Sequence, residues 1–172
     1  VIGGTSGHLM GAAIAAILVG PWAAVLVMTT VVAVQALIFQ DGGILVLGAN
    51  IFNMGILGVA ASYVLYKTIT RLSGSKKWGI YLGGFSAAWF SIVLASFSVS
   101  LQLALSGTSP IRIVLPAMVG IHSLIGIGEG LITIGALALV SAARPDILQP
   151  SRERFTPGAL LAIIGFGLAI GL

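Results

Sequence analysis

The sequence predicts an all-α integral membrane protein, a polytopic bundle of about six transmembrane helices. Three observations carry this. Of 172 residues, 58% are hydrophobic and only 7% charged, with a mean hydropathy of +1.16. A water-facing domain normally carries about 25% charged residues. The apolar residues also fall into runs of roughly 20, the length needed to cross a bilayer core. Finally, the runs show no alternation of period two, so a β-barrel is excluded, and the backbone must satisfy itself within helices.

The elements follow in order. Helix a is expected from about His8 to Val19, capped by Thr5 or Ser6 and broken by Gly20-Pro21. At about 18 Å it is short for a full span. Helix b should run from about Trp22 to Phe39 and end at the turn signal Asp41-Gly42-Gly43. Helix c should cover Leu47 to Tyr66, followed by a basic loop with Lys67, Arg71, Lys76 and Lys77. Helix d is expected from about Trp78 to Leu105, then the loop Ser106–Pro110. The apolar stretch from Ile111 to Ala143 would make a helix of roughly 50 Å, too long for a core of about 30 Å. Arg112 and Pro116 therefore suggest an interfacial lead-in, with helix e proper at about Met118–Val140. A second charged loop carries Arg144, Asp146, Arg152, Glu153 and Arg154, and helix f follows from about Thr156 to Leu172.

Charge orients the bundle. The c–d and e–f loops hold seven of the eight basic residues, so both should be cytoplasmic. The net charge of +4 then reflects topology, and no nucleic-acid partner is expected. The absence of cysteine excludes disulfides and thiolate metal sites. The first residue is Val1 and the last, Leu172, directly follows an apolar run, so a fragment or processed product is expected.

With this orientation, six polar side chains fall near the outer end: His8, Gln35, Asn50, Asn53, Gln102 and His122. Polar residues inside membrane helices are costly and mark functional sites by default. Together they predict a hydrophilic pocket opening outward. Asn50 and Asn53 lie three apart, on one helix face. His122 and Glu129 lie seven apart, on one face and about 10 Å apart along the axis. Gly126, Gly128 and Gly130 leave that region open or admit a neighbouring helix closely. Glu129, near the midplane, must be paired, hydrogen-bonded or protonated.

His8 is the first candidate for a metal ligand, because imidazole suits nickel, cobalt, copper and zinc. His122 is a weaker candidate. A simpler reading stands beside each. Intramembrane His and Asn are more often hydrogen-bonding glue between helices. Glu129 reads either as a proton relay or, preferably, as the structural partner of a basic or amide group. The four methionines are scattered and read as packing. The sequence contains no phosphate-binding loop of the G-x-x-x-x-G-K-[ST] type, no H-E-x-x-H and no Ser-His-Asp arrangement, so no enzyme is expected.

Four ordered blocks carry a family resemblance. They are Gly3-Gly4-Thr5-Ser6-Gly7-His8-Leu9-Met10-Gly11 with Leu18–Ala24; Gln35–Phe39 with Asp41-Gly42-Gly43; Gly48-Ala49-Asn50-Ile51-Phe52-Asn53-Met54-Gly55; and His122–Thr133. From Gly3 to about Arg144 the chain resembles the CbiM/NikM family, the substrate-capture subunits of energy-coupling factor type cobalt and nickel importers. The Leu-Met and Pro-Trp forms look closer to the nickel branch.

The resemblance implies a roughly square-planar set of four nitrogens around the transported Ni(II) or Co(II). Three come from a processed N-terminus, and the fourth is the histidine matching His8. The family's Met-His-x-Pro-Asp-Gly start is absent here, so residues 1–145 read as a membrane domain without its N-terminal part. Residues 146–172 read as a cytoplasmic loop and the start of a further helix that looks like a fused CbiN-like accessory segment. The implied partners are a transmembrane coupling subunit and two cytoplasmic ATPases in the cell (inner) membrane. The metal is cargo, and no catalytic cofactor is expected. The rival readings are a secondary transporter with a proton-coupled Glu129 and a structural membrane subunit without a ligand.

Overall fold

The computed structural model describes residues 7–148. Within them the chain forms five longer helices, a closing 3-10 turn (Pro145–Leu148) and no strand: α1 (Ala12–Val19), α2 (Pro21–Leu37), α3 (Ile44–Leu72), α4 (Lys77–Leu105) and α5 (Ile111–Ala143). Three of these, α3 to α5, are long and apolar enough to cross a membrane, while α2 is a shorter apolar helix. Helix α1, at about 12 Å, is too short to cross. The expectation of six spanning helices is corrected accordingly for the described residues. Helix f and most of the 146–172 segment lie outside them.

The first helix begins four residues later than expected. Residues 7–11 run as a non-helical strap, and Gly11 enters α1 with φ 75°, a left-handed conformation that glycine adopts without strain. Gly20 (φ 82°) separates α1 from α2, and Pro21 opens α2 at a position where its missing N–H has no helical partner to lose.

Helix α3 is continuous but not uniform. A 3-10 turn (Ile44–Val46) leads through a single α-turn into a π-helical stretch (Ile51–Leu57), and regular α-helix follows from Gly58 to Leu72. Helix c therefore extends beyond Tyr66, and Lys67 and Arg71 sit on its last turns rather than in a loop. Lys67 lays its ammonium 4.7 Å from the Tyr63 ring centre, so its stem covers apolar surface while its charge reaches outward.

Helix α5 is a single helix of 33 residues. The predicted lead-in is its first turns, not a separate element. Pro116, the sixth residue, forfeits only the bond to the Arg112 carbonyl, close enough to the helix start for the helix to continue. Past its end, Arg144 makes a two-pronged pair with Asp146 (2.9 and 2.8 Å), which holds the Asp146 carboxyl below its ordinary range. Since that carboxyl is depressed, the pair is present above its shifted pKa and is lost as pH falls through it.

Helices α4 and α5 pack antiparallel through glycine notches. A β-carbon on Gly126 would stand 2.8 Å from Ile92 and 3.0 Å from Trp89, and one on Gly130 would meet the Phe85 ring. Trp89 donates its indole N–H to the Ser123 carbonyl at 3.1 Å across this interface. Helix α1 sits in the interior, with Ala12, Ala13 and Ala16 fully buried against Met28, Val59, Tyr63, Tyr66, Ala87 and Ile92. Small side chains let the surrounding helices close on it. The outer surface is apolar, with Leu26, Leu124, Leu131 and Leu139 exposed.

Candidate metal site on the strap before the first helix

The site is built on the strap. A non-helical segment inside a membrane bundle has no backbone bonds of its own and needs partners from the protein. Glu129 supplies them. Its Oε2 accepts the Met10 backbone N–H at 2.8 Å and its Oε1 accepts the Gly11 N–H at 3.1 Å. The carboxylate is almost fully buried and lies at the N-terminal end of α1, where the helix dipole favours a negative charge. At the other end of the strap, Gly7 lies flat on α5. A β-carbon there would stand 2.8 Å from Ile125, 3.5 Å from Ile121 and 3.9 Å from His122.

His8 stands between these two anchors, half-buried. Its Nε2 contacts the Met54 thioether at 3.3 Å, and its Nδ1 lies 3.8 Å from the Asp41 carboxylate. Among the described residues Nδ1 makes no hydrogen bond. Asp41 is set by the turn after α2, where its N–H and that of Phe39 both donate to the Gln35 carbonyl (3.0 and 3.2 Å). Gln35 thus contributes its backbone, and its side chain is half-buried. Met54 is carried by the π-helical stretch of α3, beside the fully buried Asn53.

Asn53 and Gln102 exchange amide hydrogen bonds at 2.9 and 3.1 Å, tying α3 to α4, and Asn53 also donates to the Ala49 carbonyl at 2.8 Å. Asn50 does not join them. Its amide packs against Gly42 in the α2–α3 turn, where no β-carbon would fit. His122 donates from Nδ1 to the Met118 carbonyl of its own helix at 2.7 Å, which fixes the tautomer and assigns the lone pair to Nε2. Its ring faces the strap near Gly7.

The polar residues expected to line one pocket therefore form three groups: His8 with Asp41 and Met54, Asn53 with Gln102, and His122 beside the strap. Glu129 serves none of these directly and holds the strap instead. No group of three or more His, Asp or Glu side chains able to hold a metal ion occurs among the described residues. His8 is thus a partial donor set. A ligand imidazole commonly has its second nitrogen directed at a carboxylate or carbonyl, and both histidines follow that pattern. Two neighbours of His8 were not singled out from sequence. Asp41 read only as a turn former, although its loop lies at the same end as His8. Met54 read as packing, although it adjoins Asn53.

Known proteins give this geometry a context. Residues 1–147 match the family described as CbiM, cobalt uptake substrate-specific transmembrane region. A putative fused nickel transport protein NikMN of Archaeoglobus fulgidus is 39% identical over 98% of this chain and 55% of its own length. The cobalt transport protein CbiM of Sorangium cellulosum is 37% identical over 91% of this chain and 71% of its own length. A crystal structure of a transition metal transporter superposes with a TM-score of 0.69 at 32% identity, covering 82% of this chain and 66% of that one. The chain spans about half the length of the fused relatives it matches. With four ordered sequence blocks, a matching fold and a family match over residues 1–147, the chain belongs to the CbiM family of cobalt uptake transmembrane proteins.

Proposed function

We propose that this chain is the metal-capturing membrane component of a nickel uptake system, with cobalt as the second choice of cargo, and that His8 is one of its ligands. The observation that carries this reading is the placement of His8. Its imidazole stands on a strap anchored on both sides, with Nδ1 facing a carboxylate and Nε2 against the Met54 thioether. The relatives' names, nickel transport and cobalt transport, support the cargo.

The chain's own residues bind and orient. The strap presents His8, Asp41 lies behind its ring, and Asn53 with Gln102 holds α3 against α4 so that Met54 and the α2–α3 turn keep their places. The remaining donors come from residues outside the described segment, in the square-planar nitrogen arrangement the family resemblance implies. Nickel favours that geometry. Import needs energy, and the sequence has no phosphate-binding loop. A transmembrane coupling subunit with two cytoplasmic ATPases, and a small accessory membrane subunit, would complete the transporter in the cell membrane.

The reading of Glu129 as a proton-coupled transport site is less well supported. Both of its oxygens already accept strap amides, which leaves the carboxylate a holding role. The test is metal analysis and nickel titration of the intact purified protein, wild type against His8→Ala. The wild type should retain nickel, and the variant should lose affinity by roughly 100-fold or more, beyond the 10–100-fold typical of an outer-sphere partner. A wild type that binds neither nickel nor cobalt, or a variant that binds equally well, overturns the proposal.

A further inference from the structure

We propose that Glu129 is the positioning residue of the metal site: it sets the location of His8 by clamping the backbone two and three residues further along the strap. The inference rests on the capture reading above and concerns how the ligand is held.

The strap has no secondary structure, so nothing within it fixes the imidazole. Binding sites need their ligands held within about 0.5 Å of the productive geometry. Two contacts with α5 bracket His8. On one side Gly7 lies against Ile121 and Ile125, an apolar contact that resists pressing inward but not sliding. On the other, the Met10 and Gly11 amides bond to the two oxygens of one carboxylate, which fixes both position and direction. Two residues of chain reach at most about 7 Å, so freedom at Met10 passes directly to His8. The imidazole itself contacts Asp41 on the α2–α3 turn and Met54 on α3. Strap backing and imidazole contacts thus come from different helices, and Glu129 is the polar link on the α5 side.

The chemistry needs a carboxylate. An amide at this position offers one acceptor oxygen, and its NH2 would oppose the second strap N–H, so one bond is lost and two donors meet. Aspartate keeps the charge but is one methylene shorter and cannot hold both amides in the same place.

The experiment compares wild type, Glu129→Gln, Glu129→Asp and His8→Ala in the intact purified protein. It measures nickel affinity by competition with a chelator, the Ni(II) absorption bands, and the Tm of the metal-free protein. Glu129→Gln should weaken nickel binding by about 10–100-fold and shift the Ni(II) bands, measured well below its Tm. A purely structural role would lower Tm but leave both metal readouts of the folded fraction at wild-type values. That result overturns the inference. Should Glu129→Gln fail to fold, Glu129→Asp decides, with a smaller affinity loss and a shifted band expected and wild-type values overturning. The capture reading fails separately, if the wild type binds no nickel or cobalt or if His8→Ala binds as well as wild type. If His8→Ala loses the metal and both Glu129 variants keep it unchanged, only the positioning role falls.

Discussion

Helix α5 meets its two inner neighbours by opposite means. Toward α4 it presents absences: at Gly126 and Gly130 the missing β-carbons admit Trp89, Ile92 and Phe85. Toward the strap it presents a charge, the Glu129 carboxylate. The difference follows from the partner's backbone. Helix α4 satisfies its own N–H and C=O groups, so shape carries most of the contact, with one hydrogen bond from the Trp89 indole to the Ser123 carbonyl beside it. The strap has none of those internal bonds, and leaving its amides unpaired in the membrane would cost several kcal/mol each, at about the scale for such groups. Against the non-helical strap α5 sets a carboxylate, while against α4 glycines on either helix face larger side chains of the other, Gly84 of α4 receiving Leu137 and Thr133.

That contrast can be tested, beginning with its apolar half. Gly126→Leu should destabilise the bundle by about 1–3 kcal/mol, the usual range for overpacking. The β-carbon alone would approach Ile92 at 2.8 Å and the Trp89 backbone Cα at 3.4 Å. Thermal unfolding in detergent would record it, and the nickel affinity of the folded fraction should not change. If affinity falls with Tm, the two sides of α5 are coupled and the division fails. A smaller effect is expected at the polar tie between α3 and α4. Asn53→Ala removes a reciprocal amide pair, and interhelical hydrogen bonds in membranes average about 0.6 and reach about 1.7 kcal/mol. Gln102→Ala should match it, with little further loss in the double variant. The smallest effect belongs to Gly128, where a β-carbon would meet nothing within 4 Å among the described residues. Gly128→Leu should leave Tm unchanged in the isolated protein. A drop there would give α5 a third packed side.

Much of the fold was legible because membrane helices declare themselves. The boundaries of α4 were read to within a residue, since a basic pair opens it and a Ser-Gly-Thr-Ser-Pro loop closes it. Less legible were places where tertiary bonds decide the backbone. The unwinding of residues 8–11 depends on a carboxylate on α5, and no local signal separates those residues from a helix start. The π-helical turn around Asn53 is likewise invisible to a 3.6-residue period. Similar limits apply to the site. Topology assigns these polar residues one depth, but depth does not reveal that Asn50 turns to Gly42 while Asn53 turns to Gln102. Composition gave methionine no role, and only coordinates bring Met54 to His8.

The strap's two amides and the carboxylate that receives them are 119 and 118 positions apart in the chain. During synthesis the strap leaves the ribosome long before Glu129 exists. Until α5 has entered the bilayer, residues 8–11 have only water, lipid headgroups or a provisional helical turn to satisfy them. His8 is thus among the earliest of the described residues to be made and among the last to be set.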